Sequence, residues 1–178
     1  METAGASSRP SAGPTRKPST ILVSLVCGAL LWGLAMGACM AAKLWLLGRL
    51  GTVHAPALFL LFAGGAAIAW VATAALSLLI SRCLPRLLPR RAPLRAVLLA
   101  LCLGFATVTI TAGLFAVDYR AFYARWHADA FTRDWILQFL FTSASAVYQF
   151  LVLGFSLYLP LGPLLLVAAT PILLRHTR

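Results

Sequence analysis

Three of the chain's four acidic residues, Asp118, Asp129 and Asp134, fall in one stretch, DYRAFYARWHADAFTRDW, where they alternate with Arg120, Arg125, Arg133 and His127. A histidine two residues from a carboxylate is the raw material of a general base. With His54 added from elsewhere in the chain it is also the start of a metal site. Neither chemistry finds a second signal. The sequence holds no HExxH, no nucleophile motif and no glycine-rich phosphate loop, and the three acids are matched by three arginines close enough to pair with them. An enzyme using His127 and Asp129 at the membrane surface is therefore the least favoured of three readings, and no catalytic, cofactor or metal residue is assigned.

The other chemistry-bearing types are as sparse. Cys27, Cys39, Cys83 and Cys102 form no CxxC or zinc-type spacing, and they read as small, polarizable fillers of helix contacts. His54, His127 and His176 all fall in loops or tails, which leaves no axial pair for an intramembrane haem.

What positions these residues is set by composition. The chain is 61% hydrophobic and 11% charged over 178 residues, against about 25% charged in soluble domains. Its solvent is lipid. Four apolar stretches are long enough to cross a hydrocarbon core of about 30 Å: 21–47, 57–80, 96–117 and 135–159. The predicted fold is all-α, a polytopic four-helix transmembrane bundle. It is flanked by a disordered tail over 1–20, rich in Ser, Pro and Gly, and a short tail over 175–178. Beyond 159 the apolar run continues to 174, interrupted by Pro160 and Pro163. A helix kinked near Pro160 is expected, and the residues alone leave open where in this run the fourth crossing lies.

Charge gives orientation. With the N-terminus inside, ten basic residues lie on the cytoplasmic side, among them Arg82, Arg86, Arg90, Arg91 and Arg95, and five lie outside; the positive-inside rule then puts both termini in the cytoplasm. The net charge of +11 is spent at the ends of apolar runs, so anionic lipid headgroups and not nucleic acid are its partners. The preponderance of Arg over Lys, with abundant Ala and Leu, fits a bacterial inner-membrane protein.

Helix packing in lipid relies on small residues. The first span offers Ala29, Gly33, Gly37 and Ala41 at four-residue spacing and the second offers Gly65, Ala69, Thr73 and Ser77, so these two ladders are expected to face each other. The same ladders would also serve a homo-oligomer. Gln138, Thr142, Ser145 and Gln149 give the fourth span a moderately polar stripe that should face other helices. Between their ends the spans carry no ionisable side chain, whereas ion-coupled transporters place such groups within the bilayer.

On a helical projection Tyr119, Phe122, Tyr123 and Trp126 share one arc, with Arg125, Asp129 and Arg133 at four-residue spacing along its edge. Aromatic residues of this kind prefer the headgroup zone. The stretch reads as a short outer-face interfacial helix that docks a partner, capped into the last span by Thr132 or Asp134. The functional expectation is a non-catalytic accessory, assembly or stabilising subunit of a larger membrane complex. The first alternative is a small transporter for a neutral or lipidic substrate, lined by Thr107, Thr111, Thr142, Ser145 and Gln149.

Overall fold

A computed structural model describes residues 18–84 and 91–176. The fold is all-α: α1 (Pro18–Leu46), α2 (Ala55–Cys83), α3 (Ala92–Tyr123), α4 (Arg133–Gln149) and α5 (Leu161–His176), with no strand among the described residues. Among the described residues four helical stretches are long and apolar enough to cross a membrane, and the chain is a multi-pass integral membrane protein. We call the end with the α1–α2 and α3–α4 connections distal, and the end with the α2–α3 connection proximal.

Several boundaries differ from the sequence expectation. Helix α1 begins at Pro18, inside the predicted tail, because proline at a helix start has no amide to lose and a φ already suited to the turn. Helix α5 runs to His176, into the predicted C-terminal tail. Pro93 lies in the first turn of α3 and starts that helix instead of interrupting it. The disorder expected over most of 1–20 lies outside the described residues, as do Arg86 and Arg90.

Close approach of α1 and α2 is built on α1's glycines. A Cβ on Gly33 would sit 2.7 Å from the Ala63 carbonyl oxygen, one on Gly37 would meet the Phe59 ring, and one on Gly28 would meet the Trp70 indole. The two predicted ladders do not mate along their length, however. Gly65 turns to α3, where a Cβ would lie 2.9 Å from Thr111 Cα. Ala29, Gly33, Gly37, Gly65, Ala69, Thr73 and Ser77 are all buried, with Ala41 half-buried. Ser77 donates to its own helix at Ala74 O (2.8 Å) and Thr73 Oγ1 has no hydrogen-bond partner among the described residues. The ladders act sterically, without cross-helix bonds.

The fourth crossing is the main surprise. The stretch Arg133–Tyr158 qualifies as a span by length and composition, yet it does not run straight through the bundle. Near its start Phe139 lies under the Arg120 guanidinium, and at its end the Tyr158 hydroxyl donates to Thr111 Oγ1 at 3.0 Å. Between those points α4 and its continuation use about 28 Å of helix while α3 uses about 14 Å, at 1.5 Å per residue. The segment thus descends obliquely and by Tyr158 has reached only the middle of α3. Its helix loosens into a π-turn over Phe150–Gly154 and a 3-10 turn over Phe155–Tyr158. It then ends at Leu159, which is extended as a residue before proline prefers. The Leu159–Pro160 peptide is cis.

From this elbow α5 completes the passage. Leu166 packs at Gly104, and Leu165, Ala168 and Ala169 lie beside Gly28, Leu31 and Trp32 in the proximal half of α1. Pro163 falls in the first turn of α5, where a missing amide costs no helix bond. The kink expected near Pro160 is therefore a full break, and the crossing slides toward the C-terminus with α4 left in the distal half.

Candidate functional site

The residues nominated at the distal end come together, though not on an independent interfacial helix. Helix α3 continues through Tyr123, then tightens into one 3-10 turn over Ala124–Trp126. Nothing in the sequence between Val117 and Tyr123 interrupts the helix already formed, so the aromatic arc is the end of α3 together with the 3-10 turn that follows it. Tyr119 and Tyr123 have ring centroids 4.6 Å apart. Phe122 and Trp126 are 5.7 Å apart, and Tyr123 lies 5.8 Å from Trp126. Phe122 and Trp126 are mostly exposed, whereas Tyr119 and Tyr123 are half-buried.

The expected alternation of charge does not form. Helical spacing ends at Trp126, so Arg125, Asp129 and Arg133 are not successive positions on one helix face. Among the described residues none of Asp118, Asp129 and Asp134 forms an ion pair with Arg120, Arg125 or Arg133. Arg125 and Arg120 stack on rings instead. Arg125 lies 5.1 Å from the Phe122 centroid and 4.8 Å from that of Trp126, and Arg120 lies 3.9 Å from Phe139 and 5.1 Å from Trp135. Cation–π contacts of this kind contribute about 0.5–1 kcal/mol where exposed. The projection of the arc alone could not show Trp135 and Phe139 in this cluster, because they arrive from α4 across the connection.

That connection is held by short-range polar contacts. Thr132 caps α4, accepting from Trp135 N at 3.2 Å and donating to Asp129 O at 2.8 Å. Gln138 Oε1 accepts from Ala128 N at 2.9 Å. Phe131 stands between them with φ 69° and is 86% exposed. That left-handed backbone is uncommon for a bulky residue and costs about 1–2 kcal/mol, a strain that points toward a use for the outward-facing ring.

The proposed general base is not assembled. His127 Nδ1 is buried without a hydrogen-bond partner, so neither Asp118 nor Asp129 orients its ring, and among the described residues no three of His, Cys, Asp and Glu converge. Only Cys39 fills a helix contact as expected. Cys27, Cys83 and Cys102 lie on the outer surface of the bundle, and all four are free thiols. Of the arginines expected to set topology, Arg82 lies in the last turn of α2, Arg91 holds the N-cap position of α3 without a side-chain bond and Arg95 lies in its first turn, all at the proximal end.

At mid-depth a polar seam joins three helices. Trp32 Nε1 donates to Thr107 Oγ1 at 3.1 Å, and that hydroxyl donates to Leu103 O at 2.7 Å; four residues on, Thr111 receives Tyr158. Beside it lies an apolar cavity of about 200 Å³ bounded by Trp32, Tyr158 and Pro163. The five residues expected to line a permeation path are not gathered on one. Thr107 and Thr111 are buried in this seam, Thr142 is half-buried and bonded to Gln138 O, and Ser145 and Gln149 are exposed. The polar stripe of α4 therefore faces its neighbours at Gln138 and Thr142, turns outward at Ser145, and meets a second cavity at Gln149.

No protein-family model, curated protein or solved structure matches the chain.

Proposed function

We propose that this protein is a non-catalytic accessory, assembly or stabilising subunit of a larger membrane complex, acting in a bacterial inner membrane with both termini cytoplasmic. The observation that carries the reading is the bareness of α4. In the most apolar window of Arg133–Tyr158 11% of residues are buried, against 28–39% in the other three spans. Its uncovered side is not random. Leu137, Phe141, Ala144 and Tyr148 are all exposed and follow a four-three-four spacing, which draws one line along a helix of the kind that seats a second helix. Ser145 lies beside that line, a polar contact that lipid tails would not reward and a partner helix would. Phe122, Trp126 and Phe131 extend the surface toward the headgroups, with Arg125 among them; aromatic residues and arginine are the types that anchor interfaces.

The test is affinity purification in mild detergent followed by mass spectrometry, comparing the wild type with Phe141→Ala/Tyr148→Ala. The reading predicts a stoichiometric membrane-protein partner that the double variant loses while its own unfolding temperature is unchanged. Recovery of the wild type without a partner, together with solute flux by the purified protein alone in proteoliposomes, would establish the transporter alternative instead.

A further inference from the structure

The distal end of α1 closes on Gly48, at φ 66°, whose amide donates to Trp45 O (2.9 Å) while that of Arg49 donates to Leu44 O (2.8 Å). This reciprocal pair is the usual way a left-handed glycine terminates a helix. It sets Arg49 directly beyond the turn, over a cavity of about 370 Å³ between α1, α2, α3 and the π-turn. The floor is aromatic: the Phe62 and Phe115 rings lie 5.8 and 6.1 Å from that of Phe150. The cavity's polar lining residues are Arg49, Gln149 and Ser156. The wall between them is the wide turn Phe150–Gly154, an irregularity common at functional sites, and Gly154 presents no side chain because a Cβ there would strike the Phe150 ring.

Among the described residues no acidic side chain lines this cavity and Arg49 forms no ion pair. A guanidinium and an amide lining one cavity with three phenyl rings complement an amphiphile with an anionic head, and the surrounding membrane supplies that chemistry as phospholipid. We propose that the cavity binds one anionic phospholipid from the distal leaflet, its phosphate at Arg49 and Gln149 and the beginning of an acyl chain over Phe62, Phe115 and Phe150. This assignment is independent of the docking surface on α4.

Native mass spectrometry of the purified full chain, titrated separately with palmitoyl-oleoyl phosphatidylglycerol and the matching phosphatidylcholine, tests it. The wild type should retain phosphatidylglycerol about fivefold more strongly, the factor expected from one cation beside an anionic headgroup. Arg49→Gln should erase that preference and Arg82→Gln, at the other end of the bundle, should keep it. Ser156→Trp, which narrows the cavity without changing charge, should lower retention of both lipids. Equal retention by the wild type, a preference that survives Arg49→Gln, or full binding by Ser156→Trp would each overturn the assignment.

Discussion

Gly64 and Gly65 are adjacent, yet they differ in what surrounds them. A methyl group on Gly64 meets nothing within 4 Å, whereas one on Gly65 collides with the backbone and hydroxyl of Thr111. Gly65→Ala must push α3 away from α2 and should cost about 1–3 kcal/mol, as overpacking does. Gly64→Ala should be neutral or slightly stabilising, since it removes glycine's backbone freedom from a helix interior. Equilibrium unfolding of the two variants in detergent measures the difference. The sequence showed that small residues recur on both helices. It could not show which neighbour each one meets, because a four-residue ladder drifts around its helix and Gly65 ends facing α3. At the distal elbow the same limit holds. The arc of Tyr119, Phe122, Tyr123 and Trp126 was legible from spacing, while the Arg120–Phe139 contact needed the position of α4.

The helix elements were visible as apolar runs, and their limits were displaced where a local signal outweighed composition. Prolines at 18 and 93 initiate helices, and Pro160 ends one. The π-turn has no comparable signature: Phe150–Gly154 is as apolar as its surroundings, and only packing against Phe62 and Phe115 distinguishes it. Where the broken element is held is a question for Tyr158. Its hydroxyl bonds Thr111 and its ring lies 4.8 Å from that of Phe62. Tyr158→Phe should lower stability by about 0.6 kcal/mol, the average for a polar contact between membrane helices. Tyr158→Ala should cost about 3–5 kcal/mol, because it also leaves a void where a large ring was buried. Thermal or denaturant unfolding that finds the two variants equal would mean that the ring does not anchor the elbow.

Taken whole, the molecule is an antiparallel trio, α1 to α3, clasped by a fourth passage in two pieces. The distal piece, α4, leans across the bundle and leaves one face bare; the proximal piece, α5, fills the space beside Gly28, Trp32 and Gly104. Four crossings could be read from composition, and so could the distal concentration of aromatic residues. The division of the last crossing could not, since 135–174 is apolar from end to end and its packing partners decide which part lies at which depth. Both the exposed line on α4 and the cavity under Arg49 depend on this arrangement, because a straight fourth span would carry Tyr158 to the proximal surface. The direct measurement is the reactivity of Leu161→Cys toward a membrane-impermeant maleimide, in a background lacking the four native cysteines. Arg91→Cys and Val53→Cys serve as markers of the two aqueous faces. The structure predicts that Cys at 161 stays unlabelled from either side while both markers react, each from its own face. Labelling at 161 from the Arg91 side, as readily as Arg91→Cys itself, would contradict it.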